Sequence, residues 1–323
     1  MASGSLLLAL AAGGGFALLT RHRAKRNTRR AEAEYPAEGA SLTIDGVQVE
    51  AVTRGHGPDL VLIHGASGNH RDFSALLPEL VSAFRVTVFD RPSLGWTGTI
   101  DRETDPAAQA EFLSAAADKL GLHNPILVGH SYGGAVALAW AMQRPDRVRA
   151  VVAISAASHP YPRPIALTTR LLATAFAGRL SAPFFTAWST PRMMRAAFGP
   201  AFAPQHAPAD YAQTAGLALT LRAESFTANA RQVAGLSRAL RRLRLGYPRL
   251  TLPVEVLHGD ADAVVPVRRN GEALAIEVPS AVLSVISNGG HMLHHTHSDA
   301  VIAAIQRARL RSENPVRPLP SGR

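Results

Sequence analysis

Cysteine is absent from all 323 residues, which removes disulfide staples, thiolate nucleophiles and cysteine-ligated metals at once. Lysine is nearly absent: Lys25 and Lys119 stand alone among 34 basic residues, a compositional bias to which no function attaches. Acidic residues are missing from residues 1–30, where Arg21, Arg23, Lys25, Arg26, Arg29 and Arg30 supply six of the ten units of formal positive charge. The remaining chain carries only +4, so the basic excess belongs to one segment and not to a phosphate-binding face. No zinc-finger, RNA-recognition or helix-turn-helix signature accompanies it, and no nucleic-acid partner is expected.

Charge of either sign is also missing from Ala2 to Thr20, a run of 19 residues rich in Leu, Ala and Gly that meets the basic cluster directly. That length is enough to span a bilayer. A cleavable signal peptide would place its charges ahead of the run, and the positive-inside rule puts these arginines on the cytoplasmic side. The expectation is a membrane partner: an anchor over 1–20 in a bacterial-type inner membrane, with the body of the chain cytoplasmic. Gly13 to Gly15 weaken a helix. A secreted or periplasmic product of cleavage and a cytoplasmic protein with a surface-lying segment are therefore the alternatives.

What remains is ordinary for a globular protein, at 47% hydrophobic and 18% charged, and is long enough for one large α/β domain with an insertion or for two small domains. After a basic and polar linker over 21–40, alternation from Ser41 to Val52 pivots on Asp45-Gly46, a hairpin signal. Apolar runs at Asp59–Gly65, Phe84–Asp90, Ile126–Gly129 and Val148–Ser155 then alternate with helical pattern, the rhythm of a mostly parallel twisted sheet with helices on both faces. From about 156 to 248 the chain reads as proline-punctuated helices, and the strand pattern resumes at Pro253–Gly259 and Ala281–Ile286. The fold class is thus α/β, with core segments 41–155 and 249–311 interrupted by a helical cap insertion over 156–248. A tail over 312–323, with Pro315, Pro318 and Pro320, is expected to be disordered.

Gly129-His130-Ser131-Tyr132-Gly133 joins an apolar strand to an alanine-rich helix. A serine at such a turn is held with its hydroxyl clear of the backbone, and the flanking glycines let strand and helix approach closely. The spacing alone is weak, but its position at a strand-to-helix junction is specific. A serine hydroxyl needs a base and a group to orient that base. The segments His258-Gly259-Asp260-Ala261-Asp262 and Gly289-Gly290-His291 follow the last two strands and offer both.

Together these segments resemble the α/β-hydrolase family over about residues 42–311. The resemblance implies Ser131 as nucleophile, Asp262 as the acid with Asp260 its competitor, and His291 as base. It further implies an oxyanion hole from the backbone N–H groups of Ala66, in His64-Gly65-Ala66-Ser67, and Tyr132. Asp90-Arg91-Pro92-Ser93-Leu94-Gly95-Trp96-Thr97 is similar to a structural turn of the family, departing from it at Ser93 and Thr97. His64, His130, Phe184 and Trp188 are candidates to line a substrate pocket. His294, His295 and His297 are read as loop and helix-start residues, and no metal or cofactor is expected.

The function expected is a serine hydrolase that cleaves an ester-like bond of a small-molecule acyl ester through an acyl-enzyme. Alternatives are a C–C bond hydrolase, a cofactor-free perhydrolase or haloperoxidase-type enzyme, an acyltransferase, or a non-catalytic binding protein on the same fold. Oligomeric state is not readable from the sequence.

Overall fold

The computed structural model describes residues 2–161 and 166–313, with side chains placed from residue 12 onward except at 40, 41, 175 and 179. The chain begins with one long helix, α1 (Ala2–Glu34). Strands β1 (Ala40–Ile44) and β2 (Val47–Arg54) form the expected hairpin, with Ile44 opposite Val47 and both turn residues at positive φ, Asp45 at 49° and Gly46 at 81°. Then come β3 (Asp59–Ile63), the short α2 (Leu77–Leu80), β4 (Arg85–Phe89), α3 (Pro106–Lys119), β5 (Ile126–His130), α4 (Tyr132–Gln143) and β6 (Ala150–Ile154). The insertion supplies α5 (Leu167–Leu172), α6 (Ala175–Trp188), α7 (Pro191–Phe202), α8 (Tyr211–Thr214) and α9 (Ala223–Leu243). The chain returns through β7 (Val254–Gly259), α10 (Gly271–Glu277), β8 (Ala281–Ile286), α11 (Leu293–Thr296) and α12 (Ser298–Glu313).

The eight strands form one sheet in the order β1-β2-β4-β3-β5-β6-β7-β8, antiparallel at the β1/β2 and β2/β4 pairs and parallel from β4 to β8. Alternation within each strand divides the core between the two faces. Val61, Ile63, Leu127, Val151 and Val256 pack beneath α3, α4 and α10, while Leu60, Leu62, Ile126, Val128 and Val152 pack beneath α2 and α12. Because β3, β5, β7 and β8 run parallel, the loops leaving their C-terminal ends gather along one edge, where ligands bind in open α/β sheets. His64, Ser131, Asp262 and His291 all lie on those loops.

Three expectations need correction. No helix among the described residues is long and apolar enough to cross a membrane, which overturns the inner-membrane anchor and with it the N-terminal membrane partner. Nor does α1 stop at Thr20 or yield to a linker: it runs on through the basic cluster to Glu34. Its basic half docks on the insertion. Arg23 Nε donates to Ala187 O at 2.7 Å and Asn27 Nδ2 to Thr186 O at 2.9 Å, satisfying carbonyls of the last turn of α6 that have no intrahelical partner. The third correction is at the other end: Ser312 and Glu313 complete α12, and the expected disordered tail otherwise lies outside the described residues.

Candidate active site

Ser131 stands between β5 and α4 with φ 52° and ψ −116°, a strained conformation that a non-glycine residue keeps only when its surroundings enforce it. They do so here. Ser131 N donates to Ile154 O at 3.0 Å, and its own carbonyl accepts from Gly134 N and Ala157 N. A Cβ on Gly129 or Gly133 would collide with backbone, the first with Gly133 and the second with the Ile63 carbonyl, so the elbow's glycines answer to close approach. Tyr132 is the first residue of α4, where its N–H has no acceptor inside the helix. Ala66 lies on the neighbouring loop, and its N–H makes no hydrogen bond among the described residues.

Asp262 and His291 are brought together by the ends of β7 and β8. His291 Nδ1 is 2.7 Å from Asp262 Oδ2, and Asp262 Oδ1 accepts from Val264 N and Val265 N at 2.9 and 2.8 Å. Burial alone would raise the Asp262 carboxyl, but the hydrogen bonds from His258, His291 and Val265 N–H together outweigh it and hold the group well below the usual carboxylate range. Asp260 is exposed, and its Oδ1 accepts from Asn288 N at 2.7 Å instead. Ser131 and His291 are 8% and 5% exposed, and the insertion meets the site at His291, whose N–H donates to Ala201 O at 3.2 Å. A cavity of about 700 Å³ lined by Trp96, Arg222 and Arg231 lies elsewhere, bordered by neither of them.

The expected pocket residues do other work. His64 is fully buried, accepting from Arg91 N through Nε2 at 2.9 Å, so its ring holds the start of the Asp90–Thr97 turn. His130 is buried behind the elbow with Nε2 3.2 Å from His291 O, which ties the residue before Ser131 to the backbone of His291. Phe184 is 46% exposed on α6, and Trp188 is the platform on which α1 rests. The Trp188 ring stacks on Phe16 at 5.8 Å and lies under the Arg23 guanidinium at 4.5 Å.

Two features escaped sequence reasoning. Arg91 is fully buried with no carboxylate partner among the described residues: it donates to His64 O, Gly65 O, Gln109 Oε1 and Gln232 Oε1 and lies 4.2 Å from the centre of the Tyr132 ring. Burial pushes its guanidinium down to about 10. The arginine of the Asp90-Arg91-Pro92 turn was the available signal, although its reach to Gln232, 141 residues away, was not. The second is Asp72, buried between His294 Nε2 at 3.3 Å and His295 Nε2 at 3.2 Å and bonded by the Tyr211 hydroxyl at 3.1 Å. His294 and His295 lie in the short helix α11, in keeping with the helix-start reading, but also meet a facing carboxylate that was not expected. The three side chains are the one group among the described residues spaced to hold a metal ion. Hydrogen bonds already account for each contact: both imidazoles donate through Nε2 to the Asp72 carboxylate.

Comparison with known proteins agrees with this fold. The family described as alpha/beta hydrolase fold matches residues 58–298. The magnesium-chelatase 30 kDa subunit of Rhodobacter capsulatus is 27% identical over 256 residues, covering 77% of this chain and 86% of that protein. The pimeloyl-[acyl-carrier protein] methyl ester esterase of Chromobacterium violaceum is 32% identical over 106 residues, 32% of this chain and 39% of that protein. Among solved structures, a thermophilic esterase from Thermogutta terrifontis superimposes with a TM-score of 0.66 at 22% identity, over 84% of this chain and 96% of that one.

Proposed function

The chain belongs to the alpha/beta hydrolase fold family, and on that premise we propose that it is a serine hydrolase cleaving an ester-like bond through an acyl-enzyme. The observation that carries the reading is the strained Ser131 elbow on the same sheet edge as the buried His291–Asp262 pair. Ser131 Oγ attacks the acyl carbonyl while His291 Nε2 takes its proton. Asp262 keeps the other imidazole nitrogen protonated and stabilises the imidazolium that forms. Charge developing on the carbonyl oxygen meets the N–H groups of Ala66 and Tyr132. His291 then returns the proton to the departing alcohol, and water repeats the sequence to release the acid. The cleaved substrate is a small acyl ester, as the esterase similarity suggests.

The test is covalent labelling with a fluorophosphonate. Wild-type protein is expected to label at Ser131 and to turn over an activated ester, and Ser131→Ala to lose both, with kcat falling on the order of 10³-fold or more. A series of esters graded in acyl length then defines the substrate. A second reading is favoured by the magnesium-chelatase subunit, which matches over most of both chains: the protein serves as a non-catalytic member of a larger assembly. Absence of labelling and of turnover in the folded wild type would sink the hydrolase and leave that reading standing.

A further inference from the structure

Ala66, the oxyanion donor of the proposed reaction, lies between two stretches of chain that the insertion grips. On one side the carbonyls of His64 and Gly65 accept from Arg91 Nε and Nη2 at 2.9 Å each, and Arg91 Nη1 donates to Gln232 Oε1 of α9 at 2.8 Å. On the other side Ser67 N donates to Asn229 Oδ1 of α9 at 2.7 Å, and Asn229 Nδ2 donates back to Ser67 Oγ at 2.8 Å. Thr220 Oγ1 donates to Ser67 O at 2.6 Å, and Asn69 Nδ2 to Ala215 O at 2.7 Å. Asn229 and Gln232 are three positions apart, hence neighbours on one face of α9. Ser67 itself has φ 61°, a left-handed conformation that is unfavourable for a serine and needs holding.

Resting on the hydrolase reading, we propose that the insertion completes the oxyanion hole, with Asn229 the positioning residue that sets the Ala66 N–H. An oxyanion donor works only within a few tenths of an ångström of its place, and the residues on either side of this one are fixed by α9. The insertion meets the histidine as well, since His291 N donates to Ala201 O of α7 at 3.2 Å, so the loop of Ala66 and the backbone of His291 are both held by it. Contacts that seat the insertion therefore act on kcat more than on substrate affinity.

The experiment compares two probes on Asn229→Ala: an alkyl boronic acid, which forms a tetrahedral adduct on the serine, and the carboxylate product of the test ester, which does not. Boronate affinity and kcat/KM are expected to fall together by about 10- to 100-fold, with carboxylate affinity changing less than about threefold. Thr220→Val, nearly isosteric and so safe for folding, is expected to move the same readouts in the same direction by a smaller factor. Equal losses for both probes, or no loss for either, would overturn the proposal. Amide hydrogen exchange at Ser67 separates its failure from that of the hydrolase reading. Faster exchange in Asn229→Ala, alongside an inactive wild type, would keep the coupling and sink the hydrolase; unchanged exchange would sink the coupling.

Discussion

Replacing Asp262 by asparagine tests the catalytic reading most sharply, because the surroundings dictate how the new amide must sit. Oδ1 already accepts from two backbone N–H groups, those of Val264 and Val265. The asparagine carbonyl has to take that place, since an NH2 group there would face two donors. Its NH2 then points at His291 Nδ1, across the present 2.7 Å contact, and Nδ1 must become an acceptor. The imidazole proton moves to Nε2, the nitrogen that should receive the Ser131 proton, and the carboxylate charge that stabilises the imidazolium is gone. The same change costs about 10⁴ in kcat in a serine protease, so a loss of about 10³- to 10⁴-fold is expected here, or about 4–5.5 kcal/mol of barrier. Asp260→Asn keeps a carbonyl acceptor for Asn288 N at an exposed turn and should stay within about threefold of wild type. The assay is kcat on an activated ester, with circular dichroism to confirm folding. A loss below tenfold for Asp262→Asn, or a larger loss for Asp260→Asn, would refute the orientation argument.

Two further outcomes follow from the packing. Burial, then the Arg91 charge, push the His64 imidazole down to about 4, and burial, then His295, push His294 down to about 4. Between that value and the ordinary 6.5 the unfolded chain binds protons that the folded chain refuses. Stability is therefore complete above pH 6.5 and drops as pH falls toward 4, by on the order of 3 kcal/mol for His64 alone. Urea melts from pH 7.5 to 4.5 measure it, and a flat profile would contradict the buried neutral rings. Removing the residues before Glu32 strips Arg23 and Asn27 from the end of α6 and uncovers Trp188. Tm should fall by about 5 °C while turnover of an activated ester stays within about threefold, and an unchanged Tm would show that the α1 docking contributes nothing.

Much of this protein was legible in its sequence because the relevant signals are local. Continuous apolar runs separated by helical pattern specify strands buried on both faces, and Asp45-Gly46 suits a turn in which both residues take positive φ. The approach of Asp262 to His291 could be anticipated as well, since both follow the ends of adjacent parallel strands. Tertiary structure alone decided the rest. An uncharged run of 19 residues carries no mark of whether lipid or protein will meet it. The basic half of α1 meets unpaired carbonyls at the end of α6, more than 150 positions downstream. Nor could spacing reveal that Arg91 reaches Gln232, that Asp72 gathers His294 and His295, or that Asn229 holds Ser67. Buried polar groups must find partners wherever the fold places them, and a pairing across 140 or more residues leaves no periodicity in the chain to read.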